Sequence, residues 1–191
     1  MALEPNNAPS PNRPFEMTAQ YQRITKQEIG NRLFRGVTED EEFKRVFYEE
    51  VSFLRRHFRR CRWLDCRFRR THFRHGTRFE SCLFQGCKFD RAHTYIGGPS
   101  FFSDCKFEGC SFDSVQFWKS SFERCSFSSK FTNVVFYGPG APMGWQTELR
   151  NVDFSLAEFE LVDFRCGIDL STTRLPPGYV PPNVPCGPVT K

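Results

Sequence analysis

Between Phe102 and Phe127, phenylalanine stands at every fifth position: Phe102, Phe107, Phe112, Phe117, Phe122, Phe127. Two positions before each is a small residue: Ser100, Cys105, Cys110, Val115, Ser120, Cys125. The other three places in each five are mostly polar or charged. A period of five matches neither an amphipathic helix nor a half-buried strand, so the pattern predicts a repeat architecture. The register begins at Phe53 and runs through Phe58, Trp63, Phe68 and Phe73. One added residue near Gly76 shifts it to Phe79, Phe84 and Phe89. A break at Tyr95 to Pro99 precedes the regular stretch, and a one-residue slip after it leads to Phe131 and Phe136. A second break, Tyr137 to Glu148, precedes Leu149, Phe154, Phe159 and Phe164.

The flanks follow other rules. Residues 1–14 are rich in Pro, Asn and Ser and read as a disordered tail. Thr25 with Glu28, and Thr38 with Glu41, have capping-box spacing, which predicts a short helix over 26–35 and a second helical turn over 39–47. The expected organisation is a helical capping segment over 15–50 and a repeat domain over 51–170 with loops at 93–99 and 137–148. A Pro-rich tail follows over 171–191.

The units FSDCKF, FEGCSF and FERCSF resemble the Cys/Phe version of the pentapeptide-repeat family, whose unit is small–polar–Leu/Phe–polar–polar. The resemblance covers residues 53–170. It implies an all-β solenoid, a right-handed quadrilateral β-helix, with four units per coil and the small and central residues inside. Stacking is the physical counterpart, because a single coil cannot bury its own apolar side. Counting faces from Phe53, the third receives Cys61, Cys82, Cys105 and Cys125, and the fourth receives Cys66, Cys87 and Cys110. Some members of the family bind DNA gyrase and protect it from inhibitors, typically as acidic DNA mimics that dimerise through an apolar C-terminal end. This chain departs from them with a basic patch and a Pro-rich end.

Composition narrows the function classes. Phe accounts for 23 of 191 residues, and the mean hydropathy of −0.53 with no long apolar run predicts a chain without a membrane span. Nine cysteines with no secretory signal predict reduced thiols in the cytoplasm, with Cys166 and Cys186 off the inward pattern. The Cys spacings and the four His (57, 72, 75 and 93) do not match a zinc site, and no nucleophile elbow or phosphate loop is present. The expectation is a non-enzymatic protein without metal, cofactor or small-molecule substrate.

Charge is concentrated. Residues 1–50 carry 7 basic and 9 acidic groups, residues 51–80 carry 10 Arg against Asp65 and Glu80, and residues 81–191 carry 10 basic and 11 acidic groups. Arg55, Arg59, Arg60, Arg62, Arg67, Arg69, Arg70, Arg74 and Arg78 fall at outward positions, and Arg56 occupies a small-residue slot. This patch is a candidate surface for a polyanion or an acidic partner. The alternative is that it faces Glu39 to Glu42, Glu49 and Glu50. Met143 and Trp145 are candidate anchors on the 137–148 loop. Pro176, Pro177 and Tyr179 form a PPxY-like ligand for a WW domain, against the reading of a tail that ends the rod. The leading reading is a scaffold for a protein partner of unknown identity. Its alternatives are gyrase binding with antibiotic resistance and polyanion binding.

Overall fold

In a computed structural model of the protein, residues 22–25, 28–29, 36–74, 76–90, 95–141, 144 and 146–182 are described. Short parallel strands stack into a four-sided β-solenoid, and the backbone register defines one column of central positions on each face. The first face stacks Ile29, Phe53, Phe73, Ile96, Phe117, Phe136 and Phe164. The second stacks Thr38, Phe58, Phe79, Phe102, Phe122 and Leu149. The third carries Phe43, Trp63, Phe84, Phe107 and Phe127, with Phe154 stacked above. The fourth carries Ile24, Tyr48, Phe68, Phe89, Phe112, Phe131 and Phe159. The central Phe positions from Phe53 to Phe154 are buried, and Phe43 and Phe159 near the two ends are partly buried. On the third face the rings lie nearly parallel, at centroid separations of 4.7 Å for Trp63–Phe84 and Phe84–Phe107 and 4.5 Å for Phe107–Phe127.

The small slot does more than leave room. Each of the seven column thiols is free and buried, and each donates a hydrogen bond to the carbonyl of the central residue on the preceding face, one coil below. Cys110 to Phe84 O is 3.2 Å and Cys105 to Phe79 O is 3.4 Å. Thr77 to Phe53 O and Ser129 to Phe107 O, both 2.9 Å, make the same bond with a hydroxyl. Burial pushes the Cys87 and Cys105 thiols well above their ordinary pKa, so they stay protonated donors.

Corners recur two residues after most central residues, and these take the left-handed backbone conformation. Asp40, Arg45, Glu50, Arg55, Arg60, Asp65 and Arg70 follow one another at intervals of five with φ between 50° and 57°. A non-glycine residue there costs on the order of 1–2 kcal/mol. None of the described corner residues is β-branched, the class that tolerates this conformation least. Ladder hydrogen bonds hold the corners, for example Asp40 N–H to Arg59 O at 3.1 Å and Asp65 N–H to Gln85 O at 2.8 Å.

Two sequence expectations are corrected. The helical turn over 39–47 does not form: Glu42–Lys44 and Val46–Glu49 are strands paired with the next coil, and Glu28–Ile29, inside the 26–35 helix, is also a strand. The rest of that helix lies outside the described residues. Capping-box spacing is a local signal, and the five-residue register of Thr38, Phe43 and Tyr48 overrides it by pairing every strand. The solenoid therefore includes residues 36–50, which the capping segment of 15–50 was expected to hold apart. The 93–99 break is not a loop over its described part either: Tyr95–Ser103 is one strand that pairs on both sides, with a bulge between Gly97 and Ser100. Residues 91–94 lie outside the described residues.

Truncating one ring of a stack leaves a cavity that its tightly packed neighbours cannot close. Phe107→Ala is expected to lower the unfolding free energy by about 3–5 kcal/mol in a denaturant titration. In the unaltered chain the seven buried thiols should become reactive to a thiol reagent only at the denaturant concentration where the β-sheet circular dichroism signal is lost.

Candidate functional site

The arginine-rich coil lies directly on the acidic one. In register, Glu39 pairs with Arg59, Glu42 with Arg62, and Glu49 with Arg69. Their side chains meet across the same ladder, at 3.1, 3.1 and 3.5 Å. At the corners Arg60 meets Asp40 through two bonds, 2.8 and 2.9 Å, and Arg70 meets Glu50 at 3.1 Å. All five pairs are twenty residues apart, one full coil. Arg59 also reaches upward to Glu80 at 3.1 Å, and Glu80 accepts from His57 at 3.1 Å. Arg124 and Asp104 repeat the corner pair higher in the rod, at 2.7 Å.

Electrostatics follow from these contacts. The Arg60 guanidinium holds the Asp40 carboxyl below its ordinary value of 3.8, and Arg59, with His57, holds Glu80 below 4.5. Arg124 does the same for Asp104. Arg56 stands apart in its small-residue slot. It is buried, donates to Thr38 Oγ1 at 2.7 Å and lies 5.8 Å from the Phe58 ring centroid. Thr38 occupies a central position where the next four coils of this face place a phenylalanine ring, and the Arg56 side chain packs against it. Burial lowers the Arg56 pKa.

Most of the predicted basic surface is therefore structural. Of its nine arginines, Arg59, Arg60, Arg62, Arg69 and Arg70 are paired with carboxylates of the coil below, and Arg67 is also engaged. Arg78 lies over the ring of Phe101, an outward aromatic, at 4.4 Å. Arg55 and Arg74 complete the nine. The pairing is the alternative the sequence offered, a patch facing Glu39 to Glu42, Glu49 and Glu50, and its residue-by-residue signal is charge complementarity at an interval of twenty, repeated from Glu39 to Arg70.

The other candidates separate from this site. Met143 and Trp145 lie outside the described residues. The base of their loop is anchored: Gly138 N–H donates to Arg165 O at 2.8 Å, and Gly140 N–H to Cys166 O at 2.9 Å. A Cβ at Gly138 would come within 2.2 Å of the Ile168 nitrogen, so only glycine fits there. Tyr179 folds back onto the rod's C-terminal end, edge-on to Phe159 at 4.9 Å, with its hydroxyl donating to Val162 O at 2.6 Å. Pro176 accepts the Tyr179 N–H at 3.1 Å, so the Pro-Pro-Gly-Tyr stretch is a turn that closes the end of the stack. Its tyrosine side chain is engaged, unlike that of an open WW ligand. Cys166, expected as a free thiol, is disulfide-bonded, and Cys186 lies outside the described residues. Among the described residues no group of three His, Cys, Asp or Glu is arranged to hold a metal ion.

No protein-family model matches the chain, and no curated protein matches it. Among solved structures, trypsin-treated QnrB1, described as a plasmid-mediated fluoroquinolone resistance protein, aligns with a TM-score of 0.41 at 14% identity, covering 82% of this chain and 90% of that one. Full-length QnrB1 aligns with a TM-score of 0.34 at 13% identity, covering 82% and 80%. HetL, a pentapeptide repeat protein involved in heterocyst differentiation regulation from the cyanobacterium Nostoc sp., aligns with a TM-score of 0.25 at 11% identity, covering 83% and 87%. Values of this size carry nothing about function, and the four-sided repeat stands on the chain's own register.

Two outcomes test these assignments. Carboxylates whose pKa is depressed in the folded state stabilise it above their unfolded values, and that stability is lost as pH falls through the folded values. The melting temperature should therefore fall as pH drops below 4.5, more steeply than in an Arg59→Gln/Arg60→Gln variant. At neutral pH, Arg60→Glu should lower the melting temperature, and exchanging the pair as Asp40→Arg/Arg60→Asp should restore it. Separately, Tyr179→Phe should cost about 1 kcal/mol in a denaturant titration, through loss of the bond to Val162. An unchanged midpoint would show that the tail does not close the rod.

Proposed function

We propose that this pentapeptide-repeat solenoid is a non-catalytic scaffold whose outward ladders form a rigid, flat surface for a protein partner. One observation supports the reading: the column thiols and most carboxylates of the first coils are already used by the architecture. The column thiols donate to carbonyls inside the core, and most carboxylates of the first coils accept from arginines of the next. What remains outward is a set of regular rows of mixed sign, held on paired strands. Rigid presentation of this kind lowers the ordering cost of association.

The alternating rows also bear on the competing readings. A gyrase-binding duplex mimic requires a continuous acidic face, whereas the rows of the second face run Glu39, Arg59, Glu80 and then Ser103, Glu123, Arg150. A nucleic-acid track requires a continuous basic face, and the same rows interrupt it.

The test is capture by the tagged chain under cross-linking, with and without nuclease, beside a supercoiling assay with purified gyrase. A protein captured in stoichiometric amount, insensitive to nuclease and lost when outward residues of one face are reversed without change in melting temperature, is the expected result. Capture that disappears with nuclease would replace the reading with nucleic-acid binding. Protection of gyrase from an inhibitor would identify the partner as the topoisomerase.

A further inference from the structure

We propose that Arg55, Arg74 and Arg78 form a receptor for a phosphate monoester dianion at the corner between the first and second faces. The inference goes beyond the scaffold reading by naming a chemistry the partner would carry.

Subtraction isolates the three residues. Five arginines of the basic coil are paired with carboxylates one coil below, and Arg67 is engaged. Arg55, Arg74 and Arg78 have no carboxylate within ion-pair distance among the described residues. They are not scattered. Arg74 lies in register over Leu54, and Arg78 over His57. Arg55, between those two lower residues, therefore sits beneath the Gly76 turn that joins Arg74 to Arg78, one strand spacing of about 4.8 Å away. Arg55 and Arg78 are exposed.

Two further features suit the corner to an anion. The Arg78 guanidinium lies over the Phe101 ring at 4.4 Å, and a guanidinium on an aromatic face keeps N–H groups at its edge for an acceptor. Gly76 has no atom within 4 Å of the place a Cβ would take, so the turn itself presents no side chain to an approaching ligand. Guanidinium forks match phosphoryl oxygens bidentately, and several together suit a compact dianion. A long polyanion fits less well. Continuing along the second face it would meet Glu80 and Glu39, both held by Arg59. The source of the group is either a free phosphate ester or a phosphorylated side chain of a protein partner.

The experiment measures fluorescence anisotropy of a labelled phosphoserine peptide and its unphosphorylated twin against the full chain at low salt. The phosphorylated peptide should bind at least about tenfold more tightly. Arg55→Gln/Arg74→Gln/Arg78→Gln should abolish that preference and leave the melting temperature unchanged. Arg59→Gln/Arg60→Gln/Arg70→Gln, which removes the same charge, should lower the melting temperature and keep the preference. Competition by phosphoserine alone at a concentration similar to that of the peptide supports the receptor with a free ester as source, and competition by the peptide only supports a protein-borne group. Equal binding of the twin peptides, or equal loss in both triple variants, overturns the proposal. No partner is used in this assay, so its failure leaves the scaffold reading standing, and failure of partner capture leaves phosphoserine binding measurable.

Discussion

Two spacings coincide in this molecule, and the rest depends on their agreement. Parallel strands in register lie about 4.8 Å apart, and the stacked rings inside lie 4.4 Å apart for Phe117–Phe136, 4.6 Å for Phe89–Phe112 and 4.8 Å for Phe102–Phe122. Hydrogen-bonded backbone and packed side chains therefore favour the same advance per coil. A one-residue slip is tolerated only where the backbone absorbs it, as at the irregularity opposite Glu108 and Ser111, after which Phe131 returns to the stack over Phe112.

Both the corners and the small slots serve that stacking. A left-handed corner every fifth residue is unfavourable alone, and it is held because the strands on either side are paired above and below. Where the slot holds a cysteine or a threonine such as Thr77, its side chain donates to a carbonyl of the coil beneath and closes the corner from inside, whereas Val115 fills the same slot by size alone. Cysteine brings an apolar body and a weak donor without a charge at neutral pH.

The N-terminal coil obeys the same rule with other means. Its second-face centre is Thr38 in place of an aromatic ring, and the buried Arg56 packs against that gap. Carboxylate–arginine pairs then run along the outside, one coil apart. Exposed pairs are individually weak, but all five form together only in the observed register, since a shift of one position would set Thr38 beside Arg59 and Tyr48 beside Arg69. The basic patch acts here as an alignment device, and the three arginines left over at one corner are the part free to meet a ligand.

Central Phe positions and both cysteine columns were legible in the sequence because an inward position depends only on the period, which can be counted along the chain. The acid–base pairing was legible in principle at an interval of twenty, but it required knowing that four units close one coil. The two expected helical segments were misread because a capping box reports three or four neighbouring residues, whereas strand formation at Glu28, Glu42 and Val46 is decided by partners twenty residues or more away. The same distance hid the role of Tyr179: its contacts with Phe159 and Val162 exist only once the last coil is in place. Periodicity by itself determined which side chains enter the core. Only the tertiary structure decided which outward charges neutralise one another and which stay available, because that depends on vertical neighbours that sequence distance does not reveal.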